Sequence, residues 1–222
     1  TGRLPLGYCL STGEVCAVSV DDTACFLISG AERTGRTALL RCLIEGAVHH
    51  RYQTVLIDTG GRMQDFKKRE EVVYLSGEAE IESWQEMVSG ERQRNEKICI
   101  FISDISSFCS FIYHFGEKRE ERSLFWEKAA MGKAGNLFLA GIYHPGRDYE
   151  AVGTAFFREF TAWQQGIHLG GNVAGQRALM FDDLSYAQQN QHEPSGIGYF
   201  KEGPERASRR LLLLLHIEEK GS

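Results

Sequence analysis

The chain has 222 residues, of which 42% are hydrophobic and 25% charged, with a net charge of −5. That length buries a sizeable core in one α/β domain or two small ones, and the composition is that of an ordinary globular protein. The acidic balance argues against a duplex-binding surface, which needs a bulk positive field, and no run approaches the roughly 18 apolar residues of a membrane span.

The chain lacks both an initial Met and a basic-then-apolar leader, so we expect it to be a piece of a longer protein. Its six cysteines include no C-x-x-C pair and lie mostly in apolar runs. They read as buried reduced thiols of a cytosolic protein, not as a disulfide framework or a zinc site.

In chain order, Leu4–Tyr8 and Val15–Val18 are predicted as short strands around a Ser-Thr-Gly turn. Cys25–Ser29 is a compact apolar strand ending at Gly30. Gly35–His50 follows as a helix, with Leu39, Leu43, Ala47 and Leu40, Ile44, Val48 at helical spacing. Val55–Asp58 and Val72–Leu75 are strands. Glu78–Arg94 is an amphipathic helix carrying Ile81, Trp84, Met87 and Val88. Ile98–Ser103 is a strongly apolar strand that ends at Asp104. Helices are expected over Phe108–Phe115, Arg122–Met131 and Val152–Trp163, and strands over Asn136–Ile142 and Gly166–Leu169. Gly196–Phe200 and Leu211–His216 make a terminal hairpin across a Gly-Pro-rich turn.

Strands alternating with helices predict an α/β fold, a largely parallel sheet with helices on both faces and a C-terminal β-hairpin. Without an internal repeat, low-complexity tract or linker, residues 1–222 read as one domain.

The segment Gly30-Ala31-Glu32-Arg33-Thr34-Gly35-Arg36-Thr37 has the frame G-x-x-x-x-G-K-[ST] of a phosphate-binding P-loop, with Arg36 at the lysine position. Strand, loop and helix occur in the order the motif requires. Backbone amides at the helix start would cradle phosphates, and Thr37 would place its hydroxyl on Mg²⁺. Arg36 keeps the charge but is a planar fork, not a compact ammonium. The plain alternative is a Gly-rich turn capped by Thr34 or Thr37.

A P-loop ATPase also needs an acid at the end of an apolar strand to hold Mg²⁺, and Asp104 supplies it. Ile105 follows where many such enzymes carry the carboxylate that polarises water. Asp104 also suits a helix N-cap, and the two roles are compatible. With the lysine replaced and the neighbouring acid missing, ATP and Mg²⁺ are expected to bind weakly or not at all, and independent hydrolysis is not expected.

Other candidates carry less. His49-His50 suits a helix C-terminus. His144-Pro145 reads as a turn that is able to face the nucleotide side. Glu117–Arg122 reads as a solvated helix face, and Arg206, Arg209 and Arg210 as protection of an edge strand. No Ser, His and Asp spacing favours a hydrolase triad.

Taken together, the chain resembles the FtsK/SpoIIIE branch of RecA-like P-loop NTPases, and in particular the C-terminal ATPase domain of type VII secretion motors, the EssC/EccC/YukB group. The resemblance rests on Leu4-Pro5-Leu6-Gly7, on Thr54–Gly61, on Gly166-Ile167-His168-Leu169-Gly170-Gly171-Asn172-Val173-Ala174-Gly175-Gln176-Arg177, on Phe181-Asp182 and on Pro194–Tyr199. It covers essentially the whole chain.

The resemblance implies a cytoplasmic domain, the last of several tandem ATPase domains in a bacterial cell-membrane protein that assembles as a hexamer. It implies small helical-hairpin secreted proteins as substrates and no nucleic-acid partner. It also implies a degenerate site used in regulation and substrate recognition, with an active ATP-driven translocase as the alternative, for protein export or, against the acidic balance, for DNA. The chain departs from DNA-translocating relatives at Ile142-Tyr143-His144-Pro145. Arg147, Arg158 and Arg177 stay open as arginine-finger candidates.

Overall fold

The computed structural model describes residues 2–90, 96–116, 118–145 and 149–213. They form ten strands: β1 Arg3–Cys9, β2 Val15–Ser19, β3 Cys25–Gly30, β4 Gln53–Ile57, β5 Val72–Leu75, β6 Ile98–Ile102, β7 Leu137–Ile142, β8 Gln165–Gly171, β9 Glu193–Glu202 and β10 Arg209–Leu213. The helices are α1 Arg36–His49, α2 Glu78–Gly90, α3 Ile105–Ile112, α4 Arg119–Ala130, α5 Tyr149–Val152, α6 Ala155–Ala162 and α7 Tyr186–Asn190. No described helix is long and apolar enough to cross a membrane.

All ten strands join one sheet in the order β2-β1-β10-β9-β8-β3-β7-β6-β4-β5. From β8 through β5 the pairs are parallel, and from β8 back to β2 they are antiparallel. The expected terminal hairpin is present as β9 and β10, and β1–β2 extends it.

Both faces are covered, which is why the central strands read as unbroken apolar runs. On β3, Phe26 and Ile28 turn to the α1 side and pack with Leu39, Leu40, Leu43 and Ile44. Cys25 and Leu27 turn to the opposite side, into a core shared with Trp84, Phe108, Trp126 and Phe156. The Phe108 ring meets Trp126 edge-on at 4.9 Å between centroids, a favourable quadrupole arrangement. All six cysteines are unbridged thiols, five of them buried and Cys42 half-buried.

Several boundaries move for identifiable reasons. α3 begins at Ile105, ahead of the expected Phe108, because the Asp104 side chain accepts the Ser107 amide at 3.0 Å and caps the helix. The single helix expected over Val152–Trp163 is two, divided before Thr154, whose hydroxyl accepts the Phe157 amide and opens α6. Helix α7 escaped the sequence reading although Ser185 and Gln188 form a capping box, as did a short 3-10 helix, Gln64–Lys68. Residues 91–94 of the expected second long helix and residues 214–216 of the expected last strand lie outside the described residues.

Two readings of charged residues are corrected. β10 lies between β1 and β9, so the arginines there protect no edge. Arg206 and Arg209 pair with Glu202 at 2.9 and 2.6 Å, and Arg210 grips Glu193 with two bonds of 2.8 and 2.7 Å. The stretch expected as a solvated face contains a buried arginine. Arg122 donates to the carbonyls of Ile112 and His114, pairs with Glu82, and lies over the Phe111 ring. Glu117 lies outside the described residues.

Candidate functional site

Parallel strands bring their carboxyl ends to one edge of the sheet. The chain leaves β3 through α1 and returns at β4, beyond β7 and β6, while the crossover after β7 runs the other way, to β8. Strand direction of travel therefore reverses between β3 and β7, the place where open α/β sheets form their ligand crevice. The loop after β3, Tyr143-His144 after β7, Asp104 after β6 and Asp58 after β4 all sit on this edge.

The loop from Gly30 to Thr37 takes an unusual backbone path, with positive φ at Gly30 (139°), Arg33 (58°) and Gly35 (105°). Its back is held by the two later segments that carry the family resemblance. The Ala31 amide donates to the Leu169 carbonyl at 3.0 Å, the Gly196 amide to the Thr34 carbonyl at 3.0 Å, and the Ser195 hydroxyl to the Arg33 carbonyl at 3.0 Å. A side chain at Gly170 would run into Thr34, with an added Cβ 2.2 Å from its methyl. These contacts explain why a left-handed Arg33, which costs about 1 kcal/mol or more by itself, persists.

Gly35 is the N-cap of α1 and no side chain caps it. Of the alternative reading, a Gly-rich turn capped by Thr34 or Thr37, Thr34 takes part, its hydroxyl donating across the turn to the Ala31 carbonyl at 2.7 Å, while Thr37 is exposed in the first turn of α1. The amides of Arg36, Thr37 and Ala38 have no intrahelical acceptor by geometry. An uncapped first turn behind a left-handed loop suits phosphate oxygens.

Arg36 is buried, and its Nη1 donates to the Tyr143 carbonyl at 3.1 Å. The guanidinium is thus tied to the end of β7. Beneath it, the buried imidazole of His168 faces the Ser29 hydroxyl at 2.9 Å. Burial, only partly offset by a backbone bond at Asn172 and reinforced by the Arg36 cation, brings the His168 pKa down to about 4. His168 is therefore neutral in the folded chain near neutral pH.

The unfolded chain takes up a proton at His168 below 6.5 while the folded chain resists until about 4, so stability is lost as pH falls through that window. We expect this imidazole to cost about 2–3 kcal/mol across the window. Urea unfolding of wild type and His168→Asn at a series of pH values checks it: the variant should be weaker near neutrality and flatter in acid. Equal slopes would remove His168 as the cause.

Asp104 is buried and engaged at both oxygens. Oδ1 caps α3, and Oδ2 lies 3.4 Å from Nη2 of Arg62. The other guanidinium nitrogen of Arg62 donates to Nε2 of His144 at 3.1 Å. Arginine has only donors, so that ring nitrogen is the acceptor of this contact, and it also lies 3.9 Å from Oδ2 of Asp104. Ile105 is completely buried and packs under Gly141, so nothing at that position can polarise water.

Arg62 is placed by Asp58, whose fully buried carboxylate accepts four bonds. They come from the Arg62 amide (3.0 Å), the Met63 amide (2.8 Å), the Tyr74 hydroxyl (2.8 Å) and the Ser103 hydroxyl (2.7 Å). Burial raises its pKa, but the donors, Ser103 foremost, outweigh it and hold the carboxyl below the usual range.

The edge brings together the loop, Thr37, Arg36 and Asp104, and adds Arg62, His144, Asp58 and His168. Arg62 had no motif to announce it; His168 lay within the resemblance segment. Of the arginine-finger candidates, Arg177 is exposed, Arg158 is exposed beside Glu159, and Arg147 lies outside the described residues. Among the described residues no group of three or more His, Cys, Asp or Glu side chains is placed to hold a metal. The amides fit a phosphate; Asp104, with one oxygen on a helix and the other on a guanidinium, does not fit an Mg²⁺ ion as arranged.

No family model and no curated protein matches this sequence. Solved structures do. EssC (ATPases 2 and 3) from Geobacillus thermodenitrificans superposes with a TM-score of 0.75 at 14% identity, over 97% of this chain and 41% of that one. Thermomonospora curvata EccC (ATPases 2 and 3), in complex with a signal sequence peptide, gives 0.73 at 15% identity, over 98% and 41%. The pCW3 conjugation coupling protein TcpA, in a monomer form with ATPγS, gives 0.69 at 13% identity, over 99% and 67%. The chain spans about two-fifths of the EssC and EccC chains. At these identities the likeness is one of fold, and the chain has the α/β P-loop NTPase fold seen in EssC, EccC and TcpA.

Proposed function

We propose that residues 1–222 are a degenerate FtsK/SpoIIIE-like ATPase domain of a type VII protein secretion motor, a module for regulation and recognition of exported proteins. The observation that carries the loss of activity is the pairing of Asp104 with Arg62 beside a buried Ile105. Arg36, anchored on the Tyr143 carbonyl, agrees with it. Phosphoryl transfer of this kind needs an acid free to hold the metal and a carboxylate to poise the water; Asp104 faces a guanidinium and Ile105 offers no carboxylate.

The secretion assignment draws its support from the EssC and EccC likeness, and the substrate role from the signal sequence peptide in the EccC complex. In this reading the domain is the last of several in one chain on the cytoplasmic side of the bacterial cell membrane. The parent assembles as a hexamer, takes small helical-hairpin proteins as cargo and needs no nucleic acid. Any nucleotide held by Gly30–Thr37 stabilises the fold by mass action.

The alternative is an active translocase domain completed by neighbouring subunits. The exposed Thr37 and the ATPγS-bound TcpA neighbour favour it.

Steady-state hydrolysis separates the two. At saturating Mg-ATP the chain should turn over far below the roughly 1 s⁻¹ floor of typical enzymes, and Arg36→Lys alone should not restore it while Ile105 remains. Brisk wild-type turnover that disappears in Asp104→Ala would overturn the reading.

A further inference from the structure

We infer that Arg62 stands in for the divalent cation, so that this edge takes a nucleoside polyphosphate without Mg²⁺. The inference rests on the proposed reading of the Gly30–Thr37 loop as a phosphate site, and it concerns how the charge of that site is balanced.

Three observations converge. Asp104, the acid at the end of β6, is buried, and one of its oxygens is committed to the Ser107 amide at 3.0 Å. The other oxygen meets the Arg62 guanidinium at 3.4 Å. Arg62 did not arrive by chance of side-chain rotation alone, because its own amide is bonded to the buried Asp58 and its second nitrogen to His144. Backbone and both ends of the fork are therefore fixed at the same place.

The charge consequence follows. An Mg²⁺ ion seeking Asp104 must displace a guanidinium from a buried carboxylate and sit beside the displaced cation, with like-charge repulsion in a poorly screened site. Left where it is, Arg62 has five N–H donors, gives one to His144 and faces Asp104 as an ion pair at 3.4 Å. Its side chain is 48% exposed, so the remaining donors are accessible to a phosphate oxygen. A planar fork is well suited to that contact. Positive charge that a metal-dependent site imports with the nucleotide is here supplied by the chain.

The test is the affinity of the 222-residue chain for the non-hydrolysable adenosine 5′-(β,γ-imido)triphosphate, by calorimetry, in excess Mg²⁺ and in excess EDTA. Wild type should bind in both, with dissociation constants within about threefold of one another. Arg62→Ala removes a half-exposed side chain but keeps the amide on Asp58, so it should fold. In it, Mg²⁺ should tighten binding about tenfold or more over EDTA.

Loss of wild-type binding in EDTA, or its absence in both media, overturns the inference and leaves the non-hydrolysing reading standing. Indifference to Mg²⁺ in Arg62→Ala overturns the assignment to Arg62. Failure of the proposed function would appear instead as turnover.

Discussion

Replacing Asp58 with alanine is expected to destabilise the fold by about 3–5 kcal/mol, the range for removing one partner from a buried charged network. Four donors converge on this carboxylate: two amides of the turn after β4, the Tyr74 hydroxyl on β5, and the Ser103 hydroxyl after β6. Alanine leaves all four facing a space that the side chain had filled. Asp58→Asn keeps one accepting oxygen and should lose about half as much. Urea denaturation at neutral pH measures both, and a loss under about 1 kcal/mol in the alanine variant would show that the turn holds itself.

Because Asp58 places Arg62, the same variant should also make nucleotide affinity sensitive to Mg²⁺, which links the stability result to the charge balance of the site. Its acid behaviour is separable from that of His168. The lowered carboxyl pKa means that the Asp58 contribution is present above 3.8 and is lost only below it. The His168 contribution disappears between 6.5 and about 4.

The second large effect is expected at Gly30. A Cβ there would lie 2.0 Å from the Leu169 carbonyl oxygen and 2.7 Å from its amide nitrogen, both backbone atoms of the neighbouring strand. Neither can withdraw without breaking the β3–β8 ladder, in which Gly30 and Leu169 are paired. The residue also sits at φ 139°, a region that costs other residues dearly.

Gly30→Ala should therefore cost about 3 kcal/mol or more and lower Tm by roughly 6–12 °C, with the loop losing its shape before the rest of the sheet does. Thermal unfolding reads the first effect. Hydrogen exchange at the amides of β8 reads the second, and protection unchanged from wild type would contradict it.

Much of the architecture was legible because it rests on local periodicity. Apolar runs at Cys25–Ser29 and Ile98–Ser103 announced strands, found at Cys25–Gly30 and Ile98–Ile102, and the helical spacing of Leu39, Leu43, Ala47 and of Leu40, Ile44, Val48 announced α1. Glycines at two fixed positions between strand and helix announced a phosphate-binding frame. Other side chains owe their environment to elements distant in sequence. The arginines of β10 read locally as edge guards, but β10 lies between β1 and β9. Arg122 looked solvated because nothing local shows α4 turning that residue toward Ile112 and His114.

The α/β class, the loop from Gly30 to Thr37, the departure at Arg36 and the acid at Asp104 with an apolar neighbour are all written in the chain. These are properties of residue type at close spacing, which chain connectivity alone enforces. The tertiary structure decided what those residues face. Strand order sets β4 beside β6 and so delivers Arg62 to Asp104, and it sets β7 beside β3 and so anchors Arg36 on Tyr143. Charge pairing of this kind depends on distance in space, and only the packed sheet sets that distance.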